Sequence, residues 1–229
     1  MPVPAGLHEQ AVTPARHVVY LHGFASSPAS SKAMRFGREA RARGLGFSCP
    51  DLNAPDFQTL TVSRMLDQAA GAVAAADAGP VCLIGSSLGA FVAVHAAAPD
   101  ATGRIDRLIL LAPAFDFGGN RLRDLGGRGI DEWRRAGRLR VMHHAYGAER
   151  DIGFGLYEDA AAYDAWDVQL DLPTLIFHGR HDEVVDPEMV ERWAAHRPNV
   201  TLHLLDDGHQ LSGSVDGIVE RSLGFLGYF

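Results

Sequence analysis

Apolar residues fall along this chain in two alternating rhythms. Short continuous runs at 17–22, 45–49, 81–84, 107–112, 174–178 and 200–205 have the length and the Val, Ile and Leu content of strands buried on both faces. Between them, apolar residues recur every three or four positions, the period of a helix with one buried side. That period predicts helices near 32–43, 61–78, 88–99, 187–196 and 215–229. Ser30 or Ser31 suits the start of the first and Gly44 its end; Gly79-Pro80 stops the second, and Pro187 fits the first turn of the fourth.

Strands alternating with helices join by right-handed crossovers into a mostly parallel sheet covered on both faces. The expected class is therefore α/β, with a six-stranded sheet, and 1–229 reads as a single domain. Residues 1–16, with prolines at 2, 4 and 14, read as a loose leader. The rhythm breaks between 115 and 172, where glycines cluster at 118, 119, 126, 127 and 129 among scattered aromatic residues. This segment is too long for an ordinary loop. With helical pieces expected over 131–138 and 157–166, it reads as a helical insertion or cap over the C-terminal edge of the sheet.

One junction carries chemistry. The strand Val81-Cys82-Leu83-Ile84 runs into Gly85-Ser86-Ser87-Leu88-Gly89 and then a helical pattern, which puts Ser87 at the apex of a strand-turn-helix. Such a turn forces its apex into a strained, usually positive-φ conformation and holds the side chain out of the sheet edge. Glycines on either side let helix and strand approach closely. The Leu88 N–H, in the first turn of the helix, is free to donate to a developing oxyanion. The alternative is a small-residue turn that only packs a helix on a sheet.

Composition narrows the classes. The net charge of −7 argues against a general nucleic-acid binder, and no stretch approaches a membrane span. The N-terminus lacks a basic and an apolar region of the secretory kind, and Cys49 and Cys82 form no C-x-x-C pair, so a cytoplasmic protein with reduced thiols is expected. His143-His144 is the nearest thing to a metal pair, but it has no evident carboxylate partner, and no metal is expected. Arginines at 121, 123, 128, 134, 135, 138 and 140 could hold anionic substrate groups, though a solvated face balanced by Asp124, Asp131 and Glu132 accounts for them as well.

Ligands in open parallel sheets sit at the carboxyl ends of the strands. Those ends bring His22-Gly23-Phe24, Ser87, Ala112-Pro113, the 179–182 turn and the 206–209 turn to one edge. A serine is a poor nucleophile without a base, histidine has the right pKa to be that base, and an acid must orient the imidazole. The acid could be Asp182, close behind its strand, or Asp186, which borders the next helix where capping is the plainer role. Strand-end position favours Asp182. Glu183 is expected to face solvent, His22 and His178 to be hydrogen-bonded structural residues, and His95 to be core or surface.

The chain resembles the α/β-hydrolase superfamily. Residues 22–33, His-Gly-Phe-Ala-Ser-Ser-Pro-Ala-Ser-Ser-Lys-Ala, are similar to an H-G-F-x-S-S-P-x-S-x-K-A signature of small bacterial serine esterases and acyl thioesterases. Residues 85–89 resemble their nucleophile elbow, 178–186 their acid turn, and Gly208-His209 their histidine loop. The resemblance implies Ser87 as nucleophile, Asp182 as orienting acid, His209 as general base, and the N–H groups of Phe24 and Leu88 as oxyanion donors. It implies a cofactor-free hydrolase of a small-molecule ester or thioester. Other activities hosted by the fold, peptidase or C–C hydrolase among them, remain open, as does a binding protein without chemistry.

Overall fold

The apolar runs become strands for the reason their composition suggests: β-branched and aliphatic side chains cover both faces of a sheet and leave no polar side exposed. In a computed structural model, residues 17–98, 100, 102–118 and 129–228 are described. The leader at 1–16, Gly119, Gly126, Gly127, Arg121, Arg123, Asp124 and Arg128 lie outside them. The order is β1 (His17–Leu21), α1 (Ser31–Ala42), β2 (Gly46–Ser48), α2 (Val62–Ala75), β3 (Val81–Ser86), α3 (Leu88–Ala97) and β4 (Ile105–Leu111). Then follow α4 (Ile130–Ala136), β5 (Arg138–His143), β6 (Ala148–Gly153), α5 (Gly155–Ala160), β7 (Thr174–Gly179), α6 (Pro187–Ala195), β8 (Val200–Leu205) and α7 (Val215–Phe225).

Six strands form one sheet in the order β2-β1-β3-β4-β7-β8, every pairing parallel. Alternate side chains divide between two cores. Val19, Leu21, Leu83, Leu108 and Leu110 face α2, α3 and α6, while Val18, Tyr20, Ile84, Ile109 and Leu111 face α1 and α7. The chain leaves β1 outward to β2, then crosses back to β3, so a topological switch lies between β1 and β3. Helix starts follow local capping: Ser30 Oγ accepts from the Ala33 N–H, Thr61 Oγ1 from Arg64, and Asp186 precedes Pro187.

Between β4 and β7 the structure has the two expected helical pieces, shortened, and also an antiparallel hairpin of β5 and β6 that the sequence reading did not anticipate. Gly137 in the left-handed conformation ends α4 at once. Leu139 and His143 then point inward while Arg138, Arg140 and Met142 point out, a two-residue period hidden by its polar half. Gly147 at φ 60° closes the turn. Trp133 braces the hairpin from α4, its indole N–H donating to the Ile152 carbonyl. The turn is tied to the loop after β1 through the Ala145 N–H and Ala25 carbonyl.

His143 packs between Tyr146, stacked at 3.9 Å, and Phe57, edge-on at 4.7 Å. Neither ring nitrogen has a hydrogen-bond partner among the described residues. Burial, helped by nearby His22 and Arg150, pulls its pKa below the ordinary histidine value.

Leu83, fully buried on the central strand, should cost about 2–5 kcal/mol when replaced by alanine, whereas Met34→Ala, at an exposed site on α1, should stay within about 0.5 kcal/mol. Urea unfolding with unchanged m-values tests both. As pH falls below about 6.5, the unfolded chain takes up a proton that folded His143 refuses, so stability drops with pH in that window and is flat above it. Because His22, His95, His178 and His203 shift the same way, His143→Phe should shallow this slope between about pH 7.5 and pH 5.5 without abolishing it. An unchanged slope by urea unfolding would show that His143 titrates normally.

Candidate active site

The β3–α3 turn is held from both sides. Ser87 adopts φ 54°, ψ −115°, a conformation that costs an L-residue energy unless its surroundings fix it. Its N–H donates to the Leu111 carbonyl at 2.8 Å, and its carbonyl accepts from Ala90 and Ala114. A Cβ on Gly85 would overlap the Gly89 and Ala90 backbone, and one on Gly89 the carbonyls of Leu21 and His22. Both glycines are therefore required by contact. The described non-glycine residues at positive φ are Ala25, Ser87, Ala112 and Leu211, one in each of the loops after β1, β3, β4 and β8. Backbone strain is gathered at one edge of the sheet.

Three of the expected residues meet there. The Ser87 hydroxyl lies 3.1 Å from His209 Nε2, and His209 Nδ1 lies 2.8 Å from Asp182 Oδ2. With Nδ1–H donating to the carboxylate, Nε2 is left to accept the serine proton. Asp182 is buried, with its other oxygen accepting from the N–H groups of Val184 and Val185 at 2.9 and 2.8 Å. Burial pushes its pKa up, but the bonds from His209, Val185 and Val184 outweigh this, and the net displacement is below the ordinary carboxylate range. Asp186 instead caps α6, accepting from the Glu188 N–H at 3.0 Å. Glu183 is exposed.

The neighbouring histidines have other work. His178 Nε2–H donates to the Val185 carbonyl at 3.1 Å and lies 3.3 Å from Asp182 Oδ2, bracing the acid turn; burial lowers its pKa. His22 Nδ1–H donates to the Gly23 carbonyl while Nε2 accepts from Leu52, which locks the loop after β1. His95 donates to Phe91 one turn back on α3. His143 and His144 diverge, the first into the hairpin's packing, the second into the cavity at Ser87.

The Gly23-Phe24 loop runs against the elbow, so close that a Cβ on Gly23 would lie 3.3 Å from that of Ser87. Among the described residues neither the Phe24 nor the Leu88 N–H has a hydrogen-bond partner. The loop carrying His209 is fixed by Asp207, whose carboxylate accepts from Gly208 and Ser214, and by Leu211, buried in the core facing α1 and α7. Ser87 and His209 open onto a cavity of about 380 Å³. Wider hollows of about 530, 570 and 740 Å³ lie elsewhere and include neither residue.

Sequence reasoning did not single out Lys32, Ser212 or His144 as cavity residues. Lys32 stood in the quoted signature, but nothing local shows that α1 starts beside the histidine loop. Of the described arginines, Arg134 pairs with Asp131, and Arg138 and Arg140 with Asp151; none lines this cavity.

Solved structures with the same architecture include a putative hydrolase from Agrobacterium vitis S4, 22% identical with a TM-score of 0.80, covering 92% of this chain and 87% of that one. Est1E from Butyrivibrio proteoclasticus with ferulic acid bound is 19% identical with a TM-score of 0.81, covering 93% and 88%. A monoacylglycerol lipase from Paleococcus ferrophilus is 14% identical with a TM-score of 0.72, covering 93% and 95%. At these identities the likeness concerns the fold, which is the α/β-hydrolase fold. Comparison with curated proteins finds no match. Among the described residues no helix is long and apolar enough to cross a membrane. The sequence from residue 17 to residue 221 matches the family model UPF0227, and the chain belongs to that uncharacterised protein family.

Proposed function

We propose that the protein is a serine hydrolase of carboxylic esters or thioesters, with Ser87 as nucleophile, His209 as general base and Asp182 as the acid that orients it. The observation that carries this is the hydrogen-bonded chain Ser87–His209–Asp182 built on the strained β3–α3 turn. Structural relatives that include Est1E with ferulic acid bound and a monoacylglycerol lipase support the class.

In the proposed reaction His209 Nε2 takes the Ser87 proton as Oγ attacks the substrate carbonyl. The tetrahedral oxyanion rests on the N–H groups of Phe24 and Leu88, donors of a kind whose individual loss costs about 10²–10³ in rate. Collapse passes the proton from His209 to the departing alkoxide or thiolate and leaves an acyl-Ser87 ester. Water, deprotonated by His209, repeats the cycle and frees the acid. Asp182, held ionised by its donors, stabilises the imidazolium that forms twice in each turnover.

A fluorophosphonate probe should form a phosphonyl ester at Ser87, located by peptide mass mapping, and should label neither Ser87→Ala nor, at comparable rate, His209→Ala. Ser87→Ala should lower ester turnover by about 10⁶. Asp182→Asn should be crippling, by about 10⁴, because the carboxamide favours the wrong imidazole tautomer. Asp186→Asn should be mild, since asparagine caps a helix as well as aspartate. Undiminished turnover in Ser87→Ala, or a larger loss in Asp186→Asn than in Asp182→Asn, overturns the corresponding assignment.

A further inference from the structure

The lining of the Ser87 cavity is a poor match for a long apolar chain. Ser26, Ser30, Ser31 and Ser212 line it, and among the described residues the lining includes no aspartate or glutamate. Among the described residues its one fixed charge is Lys32, the chain's only lysine. Tyr20, wholly buried beside Ser86, reaches the same cavity, and its hydroxyl has no hydrogen-bond partner of ordinary geometry among the described residues.

Lys32 is placed against its own interest. It occupies the first turn of α1, where the helix dipole repels a cation, and that turn holds no acidic residue. Its ammonium donates to the Gln210 carbonyl at 2.7 Å and forms no ion pair among the described residues. One acceptor meets one of three N–H donors. The carboxylates whose charge reaches it, Asp207 and Asp182, are already engaged, the first by Gly208 and Ser214, the second by His209, Val184 and Val185. Burial therefore outweighs them and holds the Lys32 pKa below the ordinary lysine value. A half-buried cation with donors to spare, sharing the cavity of Ser87 and with the carboxylates that reach it already engaged by other donors, is the chemistry of an anion subsite.

We propose that Lys32 is the specificity-determining residue of this site, binding a carboxylate or phosphate group carried by the substrate, so that short anionic esters or thioesters are preferred over neutral ones. The inference rests on the hydrolase reading above and deepens it. The anion sits on either the acyl part or the leaving group, and matched ester pairs separate the two.

For the acyl side, 4-nitrophenyl hemiglutarate and 4-nitrophenyl valerate share a leaving group and a backbone length and differ in the terminal carboxylate. For the leaving group, 3-carboxyphenyl valerate is compared with its neutral 3-carbamoylphenyl analogue. The native enzyme should favour the anionic member of one pair by about tenfold in kcat/KM, the factor one charge-assisted hydrogen bond supplies. Lys32→Met should remove that preference, mainly through KM, by lowering kcat/KM of the anionic member about tenfold more than that of the neutral one, while Lys32→Arg keeps part of it. Lys32→Gln serves if the methionine variant does not fold. A lysine that merely ties α1 to the Gln210 carbonyl, and so positions His209, predicts equal losses on both members; that result overturns the proposal, as does native enzyme without charge preference in either pair. Fluorophosphonate labelling of Ser87 distinguishes the two failures. Labelling without charge preference sinks the Lys32 inference alone, whereas absence of labelling and turnover sinks the hydrolase reading and this inference with it.

Discussion

The site hangs on one backbone conformation. Ser87 can hold its left-handed φ only because the elements around it leave no other path for the chain. β4 accepts its N–H, α3 begins at the next residue, and β1 lies so close that Gly89 has no room for a side chain. The same closeness sets the Gly23-Phe24 loop beside the elbow. The loop that carries the Phe24 N–H and the helix start that carries the Leu88 N–H thereby flank Ser87, although they come from sequence-distant strand ends. A single tight contact, α3 against the end of β1, thus fixes Ser87 and the backbone that carries both proposed oxyanion donors. It also explains why α3 is buried on nearly every side, since an amphipathic helix with a solvent face could not sit so deep between β1, β3 and α2.

The acid side is solved electrostatically. An ionised carboxylate as buried as Asp182 is costly, and two backbone N–H groups and the imidazole of His209 together offset that cost. The turn after β7 is what gathers them: Gly179 has no room for a Cβ beside the Asp207 and Gly208 carbonyls, so the acid loop and the histidine loop pack backbone to backbone. The His209–Asp182 bond is then a consequence of β7 pairing with β8, residue for residue, from Thr174 and Val200 to Gly179 and Leu205.

What the sequence made legible was whatever has a strong local signal. Six apolar runs marked six strands, and the glycines around Ser87 marked the elbow, because each pattern is confined to a few consecutive residues. The choice between Asp182 and Asp186 was harder, since both lie in one turn; in the structure Asp182 meets His209 and Asp186 caps α6. The β5–β6 hairpin escaped notice because its inward positions include a histidine and its outward ones two arginines, so alternation did not register as apolar against polar. Lys32 was visible only as a letter in a signature. Its contact with Gln210 spans 178 residues of sequence, and no local pattern encodes that.

Net charge and site charge point in opposite directions here, and the physical scales say which matters. A chain carrying −7 overall repels anions at long range, yet salt at about 0.15 M screens exposed charges beyond about 8 Å. Around Ser87, the described side chains lining the cavity contribute one ammonium, several hydroxyls and no carboxylate. Lys32 is also partly removed from water, so its field is screened less than that of the exposed acids on the outer surface. Asp207 and Asp182, the carboxylates whose charge reaches Lys32, are each engaged by donors of their own. An acidic protein can therefore present an anion-attracting site, and the selectivity it confers belongs to the last few ångströms of approach. On that basis the arginines of the β5–β6 hairpin, paired outward with Asp151, bear on the protein's surface and Lys32 bears on its substrate.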